Sequence, residues 1–198
     1  MRNYGLLSML LLVCSCLSNN PKEASLLESA VPKTYVLSSS EGIQTRNDVV
    51  YLNAQKYSGF LYEFYPNTQD TLFINGYLNG LLHGVCKKWY AKKQIMEERI
   101  YRQGAKHGKQ VAYWENGNKK FEFIAQNDAY EGELKEWTFD NKLIHLAHFK
   151  NGQEEGTQKS WYDNGKIRAN YVIINGRRYG LLGTKNCKNV SDSIFVVK

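Results

Sequence analysis

The sequence is short of the features that mark several common protein classes. Only 3 of its 198 residues are proline, and no hydrophobic run approaches the ~20 residues that a membrane-spanning helix requires. It lacks a Gly-x-Ser-x-Gly elbow, a Cys-x-x-Cys pair and a recognisable nucleic-acid-binding module. These absences argue against a membrane span, a serine hydrolase of the elbow type, a two-cysteine redox or zinc motif, and a nucleic-acid partner.

The residues that are present favour a folded, β-rich chain. Hydrophobic residues make up 42% and charged residues 23%, which is globular composition, while 14 Tyr, 4 Trp and 16 Gly suit strands joined by glycine turns. The net charge of +7 is spread along the chain and indicates a mild preference for anionic partners.

The N-terminus is typical of a targeting segment. Arg2 is followed by a short apolar stretch, so residues 1–15 are predicted to be a secretory signal. The run ends Val13-Cys14-Ser15-Cys16, which resembles a bacterial lipobox and implies lipidation of Cys16. We therefore expect an exported protein, lipid-anchored to a membrane of the cell envelope; an ordinary signal peptide and an uncleaved anchor are the alternatives.

The rest of the chain divides by composition. Residues 16–48 are rich in Ser, Asn and Glu and predict a tether with one short strand at Tyr35-Val36-Leu37. Residues 49–185 are assigned to a repeat domain. Residues 186–198 form a tail or a closing strand at Ser193–Val197.

A 24-residue period is the strongest signal. It is carried by glycines and by an aromatic residue five positions after most of them; the glycines are Gly84, Gly108, Gly132, Gly156 and Gly180. Each repeat also contains a turn dipeptide such as Asn151-Gly152 and a second turn after the aromatic residue, so each repeat has two strands. Two-residue hairpin turns require positive φ, which Gly adopts freely and Asn tolerates. The repeat glycines are likewise predicted to be structural turn residues.

This pattern resembles the MORN-repeat variant of bacterial proteins that are often labelled YwqK-type antitoxins. The resemblance covers roughly residues 57–185 and implies an all-β fold, an elongated single-layer antiparallel meander of about five hairpins. It implies an interaction surface and, through the label, an antitoxin or immunity role.

Alternation along the strands places lysine and tryptophan on one face. The residues of this stripe are Lys87, Trp89, Lys135, Trp137, Lys159 and Trp161. One interpretation is that these rings, with Phe121, Phe123, Phe149 and Tyr171 from intervening strands, stack to hold the sheet together. The other is that the stripe binds an anionic lipid or a glycan.

Other residue groups give weaker signals. His83 and His107 hold the same repeat position but lie about two strand spacings apart, too far for a tetrahedral metal site, and Glu131 and Glu155 sit without an evident cleft. Cys86 and Cys187 are expected to be unpaired thiols. We therefore expect no catalytic residues, no cofactor and no metal, and an envelope-anchored scaffold that binds another protein or an anionic envelope polymer. An envelope enzyme acting on glycan is the alternative from a different class.

Overall fold

The computed structural model describes residues 21–183, which form one short helix and sixteen strands. A short 3-10 helix lies at Ala91–Lys93. The bounds are α1 Pro21–Ser29, β1 Tyr35–Leu37, β2 Ile43–Arg46, β3 Val49–Leu52, β4 Gln55–Lys56, β5 Gly59–Phe64, β6 Thr71–Leu78, β7 Leu81–Leu82, β8 Gly84–Trp89, β9 Ile95–Arg102, β10 Ala105–Tyr113, β11 Lys119–Gln126, β12 Ala129–Trp137, β13 Leu143–Lys150, β14 Gln153–Trp161, β15 Ile167–Ile174 and β16 Arg177–Leu181.

The main sheet confirms the predicted all-β meander. The sheet has thirteen strands: β1 lies at one edge, β5 to β16 follow in chain order, and β16 lies at the other edge, while β7 pairs with β6 beside this path. Neighbours pair antiparallel except for β1, which runs parallel to β5. Because the sheet does not close on itself, β1 and β16 are its two edge strands among the described residues.

The two-residue turns have the backbone that the sequence predicts. At Asn151 and Gly152 the φ angles are 50° and 79°, and the equivalent pairs at 79–80, 103–104, 127–128 and 175–176 are also positive at both positions. Positive φ at both central residues defines the hairpin turn whose twist matches that of the flanking strands. The Asn-Gly signal therefore located the turns correctly.

The repeat glycines lie inside strands and not in turns, which corrects the sequence prediction. Gly108 has a φ of 77° within β10, where Lys106 pairs with Tyr101 but Gln110 pairs with Arg99. Three residues of β10 thus face one residue of β9, which is a β-bulge. A bulge that requires positive φ selects glycine as strongly as a turn does, so the spacing of glycines could not distinguish the two.

Hydrogen bonds outside the strand ladders join several successive hairpins at both ends of the strands. At one end, the second residue of a two-residue turn donates its N–H to the preceding hairpin, as in Gly104 to Leu82 O at 2.8 Å and Gly152 to Tyr130 O at 2.9 Å. At the other end, ring donors reach carbonyls about one period ahead. These bonds run from Tyr65 Oη to Trp89 O at 2.8 Å, from Tyr90 Oη to Tyr113 O at 3.1 Å, and from Trp114 Nε1 to Trp137 O at 3.1 Å.

The segment expected to be a tether is folded from residue 21 onwards. Here the chain forms α1, then β1 on the edge of the main sheet, then β2 of a small three-stranded sheet with β3 and β4. Val31, just after α1, is 3% exposed. The helix is nine residues long, and its polar composition gave no amphipathic pattern in the sequence from which to predict it.

The small sheet supplies a hydrophobic core for the N-terminal end of the main sheet. Val50 of β3 packs with Tyr57 and Leu61, and partly buried side chains surround this cluster. Those side chains are Val36, Ile43, Leu52, Phe73 and Tyr77. The small sheet thus adds an apolar cluster at the N-terminal end, beyond the buried side chains that the later strands carry, such as Leu134 and Ala147.

Two glycine substitutions separate backbone conformation from packing. Gly84 and Gly132 have nearly equal φ angles of 75° and 70°, but a Cβ at Gly84 would lie 3.0 Å from Glu28 Cα in α1, whereas a Cβ at Gly132 meets nothing within 4 Å. Gly132→Ala should lower the free energy of unfolding by about 1 kcal/mol, the cost of positive φ for a residue with a side chain. Gly84→Ala should lower the free energy of unfolding by more than this, because the backbone of α1 must move. Equal losses of stability for the two variants in urea unfolding would contradict this account.

Candidate functional site: two faces of the sheet

The lysines of the predicted stripe lie on one face, which we call the lysine face, but two of the three are paired. Lys87 stands opposite Glu98 in register, with Nζ 3.0 Å from its carboxylate. Lys135 Nζ lies 2.5 Å from Glu133. Lys159 stands opposite Leu146 and Asn170 and has no carboxylate within 4.0 Å among residues 21–183. The stripe is therefore not a row of uncompensated positive charge.

A third acidic residue, Glu122, extends this charge balance. Glu122 stands opposite Lys135 and also accepts a hydrogen bond from Lys119 Nζ at 2.7 Å, with Lys109 Nζ at 3.5 Å. Burial alone would raise the pKa of Glu122, but the hydrogen bond and charge of Lys119, together with Lys109, lower it below the usual value. Glu98 and Glu122 were not singled out by sequence reasoning because their pairing depends on a register that the bulges set.

The tryptophans of the stripe end their strands and are half-buried. Trp89, Trp137 and Trp161 close β8, β12 and β14, each beside the second turn of its repeat. Lys119 Nζ lies 5.6 Å from the centre of the Trp137 ring, within cation–π range. The rings thus pack along one margin of the lysine face.

Three phenylalanines predicted to stack with the tryptophans lie on the opposite face, where they form a continuous strip with Tyr130. Ring centres are separated by 5.8 Å between Phe121 and Phe123, by 4.8 Å between Phe123 and Tyr130, and by 4.9 Å between Tyr130 and Phe149. The Arg99 guanidinium lies 5.0 Å above the Phe121 ring and extends the strip onto β9. We call these four rings the ring strip. Tyr130 lies at the centre of the strip. Sequence reasoning missed it because it precedes the bulge and because the equivalent positions of the other repeats carry no aromatic residue.

The ring strip is partly open to water. Tyr130 is 38% exposed, and the three phenylalanines are intermediate in exposure. The small sheet packs near Leu61 and Phe73, at the N-terminal end of the main sheet, so it does not cover these rings. The strip is therefore an aromatic surface with one stacked arginine that the described elements leave uncovered.

A row of buried side chains two positions after the repeat glycines supports the bulges. Gln110 is fully buried and donates from Nε2 to the carbonyl of Ile100 at 2.9 Å, the residue that faces the bulge. Gln158 donates in the same way to His148 O at 2.7 Å. These amides satisfy carbonyls that the interrupted ladder leaves free. Two glutamines spaced 48 residues apart, twice the period, were the only available sequence signal.

Cys86 occupies the same position in the first full copy and is buried. Its side chain is 5% exposed, and burial raises the pKa of the thiol to about 12. A thiol with this pKa carries almost no thiolate at neutral pH and is a poor nucleophile. Cys86 is unpaired among the described residues, whereas Cys187 lies outside them.

Histidine or glutamate precedes four of the repeat glycines, and these side chains contact a neighbouring turn, strand or helix α1. His83 Nδ1 accepts the Gln103 N–H at 3.3 Å, and Glu131 accepts the Asn151 N–H at 2.9 Å. His107 is buried and contacts Glu23 of α1 through Nε2 at 3.1 Å. Glu155 lies 3.9 Å from Lys150. Within residues 21–183 no three His, Cys, Asp or Glu side chains converge as a metal site would require.

Two cavities open on the same face as the ring strip or at its margin. The first has about 300 Å³ and includes the Arg99–Glu97 ion pair at 3.0 Å. The second has about 390 Å³ and includes His145, whose Nδ1 lies 3.0 Å from Glu136. Ser160 stands opposite His145, but no hydrogen bond joins the two in the described structure. The contact with Glu136 therefore orients the His145 ring.

Several predicted features fall outside the described residues. These are the signal segment, the lipidation site Cys16 and the closing strand at 193–197. No helix within residues 21–183 combines the length and apolar character needed to cross a membrane.

Comparison with known proteins gives one family match. The model described as MORN repeat variant matches residues 106–127 and 154–171. The first match spans nearly all of the β10–β11 hairpin, and the second spans β14 and most of β15. Searches of curated proteins and of solved structures returned no match. The two matched segments begin 48 residues apart, twice the period seen in the strands, so the similarity to the MORN repeat variant follows the repeat of this sheet.

Proposed function

We propose that this protein is a non-enzymatic scaffold that binds a partner protein through the ring strip. The observation that carries the proposal is the unbroken contact of Phe121, Phe123, Tyr130 and Phe149 on an uncovered part of the sheet. Aromatic residues and arginine dominate the energetics of protein interfaces because they bury large areas with little loss of side-chain freedom. Repeat arrays present extended surfaces of this kind.

The charge distribution favours a protein over an anionic polymer at this surface. An anionic lipid or glycan requires uncompensated cations, yet Lys87 and Lys135 on the lysine face are each within 3.0 Å of a glutamate. On the ring face, Arg99 is paired with Glu97. Apolar burial by a protein partner therefore supplies the larger share of the binding energy.

Photocrosslinking tests the ring strip directly. With p-benzoylphenylalanine in place of Tyr130, in cells of the source organism, the full chain should form a discrete adduct with another protein. The matched control replaces Tyr162, a turn tyrosine that is 51% exposed and lies outside the strip. An adduct from position 130 alone is expected. No adduct from position 130, or the same adduct from both positions, would reject the ring strip as the binding surface.

We also propose that the scaffold is exported and held at a membrane of the cell envelope by lipid on Cys16. The support is the sequence Val13-Cys14-Ser15-Cys16 after a short apolar stretch. A scaffold tethered in this way presents its sheet to partners at the membrane surface.

Fatty-acid labelling tests the anchor. Cells that express the native chain and are grown with radioactive palmitate should label it, and Cys16→Ala should abolish the label because the acceptor thiol is removed. Cys14→Ala is the matched control and should keep the label. Retention of label by Cys16→Ala would show that Cys16 is not the modified residue.

A further inference from the structure

Among residues 21–183, the last strand of the sheet is an open edge. β16 pairs with β15 on one side, and no other described strand pairs with its outer side. All five of its residues, Arg177–Leu181, are exposed. An edge strand presents unpaired N–H and C=O groups that can accept a further strand.

Apolar side chains are concentrated on one face of this edge. The register places Tyr179 opposite Val172 and Leu181 opposite Asn170, so both lie on the side of the hairpin that also carries Ile174. Tyr179 and Leu181 are each 52% exposed and Ile174 is 53% exposed. This apolar area is left in water unless another chain segment covers it.

The hairpin that ends in this edge also carries charge of one sign. Residues 164–183 contain Lys166, Arg168, Arg177 and Arg178 and no Asp or Glu. Arg178 is 3.0 Å from Glu154, but the other three cations have no carboxylate within 4.0 Å in the described part of the chain. A partner that neutralises these cations must be acidic.

We propose that the β16 edge binds an extended acidic segment of a partner protein, which adds to the sheet as a further strand. Backbone hydrogen bonds provide the affinity, apolar side chains of the segment cover Tyr179 and Leu181, and a carboxylate meets Arg177. The edge is a different surface from the ring strip, so the two proposals fail independently.

Charge complementarity selects this occupant over two others. A second copy paired through its own β16 would bring Arg177 and Arg178 of both copies to the same junction, where like charges repel. The chain's own residues 184–198 carry Lys185, Lys188 and Lys198 against a single Asp192, so they share the sign of the hairpin. An acidic segment is the only one of the three that offsets the charge.

The test uses the full chain and three labelled peptides of about ten residues, the length of a long strand. The probe has Thr at every second position, so that its Val and Glu residues share the other face, with Glu placed to meet Arg177 and Val placed to cover Tyr179 and Leu181. A charge control has Lys in place of Glu, and a backbone control keeps the probe sequence with alternate N-methylated residues that cannot complete a ladder. Fluorescence anisotropy should show binding of the first peptide only, weakening as salt is raised.

A pair of variants locates the binding. Arg177→Glu should weaken binding of the Val–Glu peptide roughly fivefold, because an exposed ion pair is replaced by a like-charge contact. Lys142→Glu, at an exposed turn lysine away from the edge, should leave binding unchanged. The proposal is overturned if the probe does not bind, as when residues 184–198 or a second copy already occupy the edge. Binding of either control peptide to the same extent, or indifference to Arg177→Glu, also overturns it.

Discussion

The repeat glycines hold positive φ inside strands, and the rest of the sheet is arranged around this constraint. At Gly108 three residues of one strand face a single residue of the next, which leaves a carbonyl outside the ladder. The fully buried amide of Gln110 satisfies that carbonyl, and Gln158 repeats the arrangement two hairpins later. Most residues with a side chain would strain the bulge, because positive φ is costly for them and not for glycine.

The hairpin-to-hairpin bonds explain how a thin sheet of this length holds together. Backbone donors such as Gly104 and ring donors such as Tyr65 reach the neighbouring hairpin at opposite ends of the strands. Each repeat therefore stabilises its neighbours through the ladder, and several also do so through both ends, as in other linear repeat proteins. The two faces of the sheet differ in chemistry. One face carries ion pairs such as Lys87–Glu98, and the other carries packed aromatic rings around Tyr130.

Periodicity predicted the fold far better than it predicted the surfaces. Asn151-Gly152 and its equivalents located the turns because positive φ has a clear sequence signature. The bulges were mistaken for turns because a glycine such as Gly108 is required by positive φ in a bulge as much as in a turn. Without the bulges, the strand register could not be predicted. The pairing of Lys87 with Glu98 and the position of Tyr130 among the phenylalanines both depend on that register. Helix α1 went unpredicted because its nine residues, most of them polar, carry no clear helical period, and its docking depends on tertiary contacts such as Glu23 with His107.

The central claim is that each 24 residues add one hairpin, and hence two strands, to an open sheet. Duplication of residues 130–153 inserts one such unit between the equivalent turn residues Glu115 and Asp163, which lie 48 positions apart. Pulsed electron paramagnetic resonance between spin labels at these two positions, in a chain without other reactive cysteines, measures the result. The mean distance should increase by about 10 Å, two strand spacings. An unchanged distance, or loss of the folded sheet, would contradict the account.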